Sequence, residues 1–289
     1  MRNPVKLIAL IAAASMITSA PAAAETRITY KSAKTGSSYY QMGVEIAEAM
    51  KAGTKGGVIV TLEESQGSTQ NVMEVKARGG DYVFTTPPAL IDMAQTGKGP
   101  FKDKTDPKFE TIRALFPIPS LTMHFVARSD KGIKTLADLA GKTVLLGKGS
   151  FGATEGDKYL KLFGLEGKVT LANAELSNAV AALKNGQIDA FVTAGSWPAP
   201  NVIEAAASIP ITVLSLSDEQ VAATKRASLT IPADTYAGQK APIHTTSLPV
   251  VAYTTTAMSE DTAYSLTKTF WEQKAALRSS AAWWKGVDQ

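Results

Sequence analysis

Apolar positions in this chain recur with two alternating periods. Ile28-Thr29-Tyr30 reads as a short strand, and from Tyr39 to Met50 the residues Met42, Ile46, Ala49 and Met50 fall at helical spacing. Val58 to Leu62 is β-branched and apolar, Thr69 to Lys76 returns to helix-like intervals, and Tyr82-Val83-Phe84 forms a further short strand. Pro87 or Pro88 then stands where a first helical turn tolerates proline. Strand and helix in regular alternation predict βαβ units and a mainly parallel sheet.

Gly97 to Pro107, rich in glycine, proline and charge, reads as an exposed connection, followed by two strands at Thr111 to Phe116 and Leu121 to Ala127. A second alternating block comes next. It holds a short helix at Thr135 to Leu139, a strand at Thr143 to Leu146, a helix at Ala153 to Phe163 and a strand at Val169 to Leu171. A helix at Ser177 to Lys184, a strand at Ala190 to Val192 and a helix at Ala199 to Ala207 complete it. Beyond a strand at Ile211 to Leu214, residues Ile231 to Thr246 are turn-rich and Val250 to Thr254 is a strand. The chain closes on an amphipathic helix from Ser259 to about Ala276, with Tyr264, Leu266, Phe270 and Trp271 as its apolar stripe. Trp271, Trp283 and Trp284 are expected to pack against the sheet or the joint between domains.

The ends and the charge balance narrow the class. Arg2 and Lys6 precede an apolar run from Leu7 to Ile17 and small residues closing on Ala22-Ala23-Ala24, the order of a secretory signal cleaved after Ala24. The apolar run falls short of the roughly 20 residues that a spanning helix needs. Residues 25–289 are long for one core and suit two domains. There are 30 basic and 26 acidic side chains, an excess that falls to two once Arg2 and Lys6 are removed. No lysine or arginine run exceeds two residues and no aromatic platform is interleaved with them, so nucleic acid is not the expected partner. The chain has no cysteine, which excludes disulfides, thiolate metal sites and cysteine nucleophiles.

In open α/β sheets a ligand sits beyond the carboxyl ends of strands, where helix N-termini favour anions. Four strand-to-helix loops share one composition: Lys34 to Ser38, Gln66 to Thr69, Gly147 to Thr154 and Thr193 to Ser196. Glycine permits close backbone approach, and serine and threonine add hydroxyl donors. One such loop is what an ordinary helix cap looks like, whereas four, two in each block, point to a shared ligand site. The loop from Gly147 lacks the Gly-Lys-Ser/Thr ending of a phosphate loop, and Lys148 precedes rather than follows its glycines. His124 and His244 are the only histidines, without carboxylates at metal-ligand spacing, and His124 inside an apolar strand reads as a core residue. No nucleophile–base pair or paired carboxylates emerge, so no catalysis, metal or cofactor is expected.

Taken in order, several short motifs resemble one family. They are Thr35-Gly36-Ser37-Ser38-Tyr39-Tyr40 with Gly43, Gly67-Ser68 with Asn71, Gly99-Pro100-Phe101, Ile112 to Leu115, and Ile133 to Val144. Gly149 to Thr154, Gly186 to Phe191, Pro198, Ile231-Pro232 with Tyr236 and the closing helix continue the set. The chain thereby resembles the TAXI branch (TRAP-associated extracytoplasmic immunogenic proteins) of solute-binding subunits of tripartite ATP-independent periplasmic transporters.

The resemblance implies a type II periplasmic-binding-protein fold of two α/β lobes with mixed, mainly parallel sheets and a hinge between them. The lobes would be 25–125 with 251–289, and 126–250, joined by crossovers near Val126 and Val250. It implies a monomeric periplasmic protein that captures a small carboxylate such as glutamate, 2-oxoglutarate or a related dicarboxylate. The solute would pass to the permease subunits of an ion-coupled TRAP transporter; the alternative is a sensory protein presenting its ligand to a receptor kinase. By position, Gly36, Ser38, Tyr39, Ser68, Asn71, Thr85, Ser150, Thr154, Ala194 and Gly195 would line the cleft. Arg113 is read either as a ligand clamp or as a strand-end residue at the domain joint. The sequence departs from the family in Gly-Ser-Phe-Gly-Ala-Thr at 149–154, where Gly-Ser-Gly-Thr is usual, and in Thr85-Thr86-Pro87-Pro88 after the third strand.

Overall fold

The computed structural model describes residues 25–287. The signal expected over residues 1–24 lies outside the described residues. Among the described residues, no helix is long and apolar enough to cross a membrane.

The first block folds as β1 (Thr26–Lys31), α1 (Ser38–Gly53), β2 (Val58–Glu63), α2 (Ser68–Glu74), β3 (Tyr82–Thr86) and α3 (Pro88–Gln95). The long strand β4 (Ile112–Arg128) leads to the second block. This is β5 (Thr143–Leu145), α4 (Phe151–Leu162), β6 (Thr170–Ala172), α5 (Ala179–Lys184), β7 (Ala190–Gly195), α6 (Pro200–Ser208) and β8 (Ile211–Val213). It continues through α7 (Asp218–Thr224) and β9 (Ala227–Ile231) into the returning strand β10 (Ile243–Thr255), and the chain ends on α8 (Glu260–Glu272) and α9 (Lys274–Ser280).

All the strands join one hydrogen-bonded ladder in the order β2-β1-β3-β10-β4-β7-β5-β6, with β8 on β4 and β9 on β10. The outer triads β2-β1-β3 and β6-β5-β7 are parallel, while β4 and β10 run antiparallel to their neighbours. The molecule therefore has two α/β lobes sharing two long strands. β4 pairs with β10 from Ile112 to Thr122 and with β7 from Thr122 to Ala127. The ladder skips register between Leu248 and Val250, opposite Leu121 and Ile118. Pro117, Pro119 and Pro249 cluster there because a strand that is changing partners does not need every ladder N–H. Those prolines also explain why the sequence read as two strands what is one.

The larger core runs from the first lobe into the second, and the other face of the second lobe carries a further core. In the larger core, Phe84 stacks on Tyr253 with centroids 5.4 Å apart, and Phe116 lies on Phe270 of α8 at 4.2 Å and 9°. Trp284 is fully buried against Phe270, and the indole N–H groups of Trp283 and Trp284 both donate to Glu45 on α1. The second core gathers Val126, Leu183, Phe191, Val202 and Ile243.

Several expected elements need correction. Phe101 is fully buried within the supposedly exposed connection. The turn-rich stretch from Ile231 ends sooner than expected, since β10 already begins at Ile243 and pairs with β9. Helix α7, missed altogether, starts at a capping box in which Ser217 accepts from Gln220 N–H and the Gln220 side chain accepts from Ser217 N–H. The closing helix starts at its predicted cap, Ser259, but breaks at Gln273 into α8 and α9. Tyr264 is 68% exposed because it lies about 200° around the helix from Leu266.

Candidate binding cleft

The parallel strands of each lobe end at the edge facing the other lobe, and the loops that follow them meet there. After β1, residues 32–37 turn into α1, whose cap Ser37 accepts from Tyr40 N–H. After β2, the turn reaches α2 through Gly67, at φ 117° and ψ −165°, a conformation that only glycine adopts readily, so that no side chain caps this helix. After β5, residues 146–150 lead to α4, capped by Ser150 through Ala153 N–H. Gly152 and Gly156 let α4 pack closely on β7: a Cβ at Gly152 would meet Ala194 N at 3.2 Å. The N-termini of α1 and α2 thus face that of α4 across a gap, with Gly67 next to Phe151 N–H. Their unpaired amides and partial positive charge turn toward a common space.

That space is a cleft with an empty volume of about 670 Å³, open solvent at its mouth included. One side carries Lys34, Ser37, Gly67, Ser68 and Thr85, the other Lys148, Ser150, Phe151, Leu176 and Ala194, and Leu121 of β4 lies at the back. A second compartment of about 660 Å³ adjoins it, sharing Lys34, Ser37, Leu176 and Ala194 and reaching Gly36, Ser38, Gly195, Asn201 and Glu204.

Two polar side-chain contacts among the described residues bridge the cleft. Ser38 Oγ accepts from the Ser196 backbone N–H at 3.0 Å, and Lys34 Nζ is paired with Glu175. A third bond ties the cleft to the crossover, as Tyr39 donates from its hydroxyl to Pro119 O at 3.2 Å. Burial, reinforced by Tyr30, pushes the Tyr39 hydroxyl well above its ordinary pKa, so it remains a donor.

Below the first compartment lies a polar plate whose donors are bonded within it. Ser32 Oγ donates to Tyr39 O at 2.7 Å, Thr85 Oγ1 bonds Tyr30 OH at 2.7 Å, and Ser65 Oγ donates to Ser32 O at 3.0 Å while accepting from Gly67 N–H. Asn71 Nδ2 joins the ends of β1 and β3 by donating to Ser32 O at 2.7 Å and Thr85 O at 2.9 Å, leaving its buried Oδ1 unpartnered. Among the described residues the Lys148 ammonium has no ion-pair partner, and no group of three or more acidic or histidine side chains could hold a metal ion.

The structure brings most of the candidate residues together. Tyr39, Ser68, Thr85, Ser150 and Ala194 line the first compartment, and Gly36, Ser38, Gly195 and again Ala194 line the second. Asn71 sits beneath the wall as a brace. Thr154 is exposed and borders neither compartment: Ser150 is the helix cap, so the inserted residues carry Thr154 past the first turn. Arg113 lies level with Tyr82, at the amino end of β3 and away from the cleft, where its guanidinium donates to Glu110 O and Ile112 O. His124 is the buried core residue anticipated, its Nε2 accepting from Tyr236 OH at 2.8 Å. Sequence reasoning missed Leu121, Glu175 and Leu176. The first and last are apolar and carry no motif, and Glu175 gains meaning only when the fold sets it beside Lys34.

Residues 31–288 match the NMT1-like family. Among solved structures the chain is similar to the periplasmic binding protein BugD, with a TM-score of 0.59 at 11% identity over 88% of this chain and 85% of that one. It is also similar to a histidine-bound substrate-binding protein of an ABC uptake transporter from Streptococcus pneumoniae, at TM-score 0.53, 15% identity and 91% and 94% coverage. A TctC solute-binding protein from Polaromonas gives a TM-score of 0.52, 13% identity and coverage of 88% and 86%. At these identities the likeness establishes the two-lobed periplasmic-binding-protein fold.

Proposed function

We propose that this chain, which belongs to the NMT1-like family, is an extracytoplasmic solute-binding protein that captures a small carboxylate between its lobes and delivers it to a membrane transporter. One observation carries the reading: four Gly/Ser/Thr loops from two lobes converge on one cleft that Ser38–Ser196 and Lys34–Glu175 bridge. Helix N-termini and the Lys148 ammonium give that cleft the chemistry of an anion site.

In this reading the periplasm is the working compartment and the protein acts as a monomer. The TAXI-like motifs favour a TRAP permease as the acceptor. In this reading the lobes divide at 125/126 and 250/251 and hinge nearby, where β4 and β10 exchange partners; the change of pairing at residues 117–122 and 247–250 supports it. Opening would break the two bridges and bend both strands.

Calorimetry and thermal shift with glutamate, 2-oxoglutarate, C4-dicarboxylates and short monocarboxylates test the proposal. It expects at least one of them to bind with a stabilising shift. No heat and no shift from the whole set would refute it.

A further inference from the structure

We infer that Glu175 is a specificity determinant that restricts the cleft to solutes with a single carboxylate and an apolar body; this rests on the carboxylate reading above. The first compartment is lined by three charged side chains, Lys34, Lys148 and Glu175, and by no arginine. Glu175 reaches across the lobes and pairs with Lys34. One cation, Lys148, is left to meet a solute carboxylate, beside Ser150 at the cap of α4. A second carboxylate would find Lys34 already neutralised and would face the Glu175 carboxylate itself.

The uncharged lining supports the same conclusion. Leu121, Phe151, Leu176, Ala33 and Ala194 offer apolar contact. The hydroxyls and amide beneath them are bonded to each other through Ser32, Thr85, Tyr30 and Asn71, and Ser37 and Ser150 donate to Lys34 O and Gly147 O, which leaves the neutral side chains of Gln66 and Ser68 as donors for a second anionic group. Against these two neutral donors and no free cation, that group would lose more hydration than it regains. An alkyl or aryl tail gains instead, by about fourfold in affinity for each methylene buried.

Matched solutes that differ only in the distal carboxylate separate the possibilities. The pairs are 2-oxopentanoate with 2-oxoglutarate, norvaline with glutamate, and hexanoate with adipate, titrated calorimetrically into the wild type and into Glu175→Gln. The half-exposed position of Glu175 makes this substitution compatible with folding, and Glu175→Asp serves as the conservative control. In the wild type the monocarboxylate of each binding pair is expected to be favoured by at least about tenfold (1.4 kcal/mol). Glu175→Gln, which releases Lys34 from its cross-lobe partner and leaves Glu64 as its more distant acidic neighbour, is expected to erase most of that ratio, and Glu175→Asp to retain it. A wild-type preference for the dicarboxylate, or a ratio unmoved by Glu175→Gln, overturns the role of Glu175 while leaving carboxylate capture standing. Absence of binding by all six solutes overturns the carboxylate reading and this inference with it.

Discussion

Ser38 Oγ and the backbone N–H of Ser196 form a 3.0 Å hydrogen bond between the first turn of α1 and the end of β7, residues of opposite lobes. Both are buried, at 3% and 4% exposure, so the bond is shielded from competing water. Its geometry depends on Gly195, where a Cβ would stand 2.6 Å from Ser38 Oγ. Lobe closure is thus written into a residue that has no side chain.

Gly195→Ala should therefore favour an open cleft. The added methyl must displace the Ser38 hydroxyl, and Ser196 N–H loses its partner, at a cost of about 1–3 kcal/mol to the closed form. Small-angle scattering should give a larger radius of gyration than for the wild type, with far-UV dichroism unchanged. Identical scattering curves would show that this contact does not hold the lobes together.

Ser150 and Thr154, both candidates on sequence grounds, should separate in experiment. Ser150 Oγ accepts from Ala153 N–H at 3.0 Å and donates to Gly147 O at 2.8 Å, so Ser150→Ala should lower stability by about 1 kcal/mol and weaken solute binding. Thr154 is exposed and away from the cleft, so Thr154→Ala should change stability by less than about 0.5 kcal/mol and leave affinity alone. Urea unfolding and titration of the same solute into both variants decide the matter. Equal loss of affinity would mean that α4 meets the solute with its second turn.

The contrast between these two residues marks what the sequence discloses. Elements with a clear period were legible, from β1 through α6, as were the loops that serve the cleft, because glycine, serine and threonine at strand-to-helix junctions have a local backbone reason to be there. Helix α7 was legible in principle from Ser217 and Gln220, three residues apart. The continuity of β4 was hidden by its prolines, which interrupt a local pattern but not a strand that is changing partners. The Lys34–Glu175 bridge joins residues 141 positions apart, and no spacing rule reaches that far. For Arg113 the sequence left two readings open, ligand clamp or strand-end residue, and only the register, which sets it at the end of the sheet away from the cleft, separates them.

Lys31 should prove to be a stability residue. Its side chain is 4% exposed and meets Glu63 at 2.6 Å and Glu74 at 2.9 Å, with Arg78 bonded to both carboxylates at 3.2 Å. Burial alone would lower the Lys31 pKa, but its hydrogen bonds to Glu63 and Glu74 raise it, and the same bonds hold both carboxyls below their ordinary 4.5. Lys31→Met leaves two carboxylates to one guanidinium and should cost about 3 kcal/mol at neutral pH. Because the depressed carboxyls contribute stability above pH 4.5 and lose it as pH falls through their folded values, the gap between variant and wild type should shrink in acid. Denaturant unfolding at about pH 7 and about pH 4 measures it, and a gap independent of pH would contradict the ion-pair account.

His124 should make the protein acid-sensitive above the range of the carboxylates. The chain of bonds fixes its tautomer: Ala199 N–H donates to Tyr236 OH at 3.0 Å, Tyr236 donates to Nε2 at 2.8 Å, and Nδ1–H donates to Thr122 O at 3.2 Å. Burial pushes the imidazole pKa down from 6.5 to about 4, only partly opposed by the Thr122 carbonyl. As pH falls below 6.5 the unfolded chain takes up a proton that the folded chain refuses until about pH 4, so folding stability drops across that window. The slope approaches about 1.4 kcal/mol per pH unit, and the total loss from this one group is on the order of 3 kcal/mol. His124→Gln keeps an acceptor for Tyr236 and cannot titrate. Its unfolding free energy, though lower at neutral pH, should decline less between pH 6.5 and 4 than that of the wild type. Parallel pH profiles for the two proteins would mean that His124 titrates alike in the folded and unfolded chains, and the buried neutral imidazole would have to be abandoned.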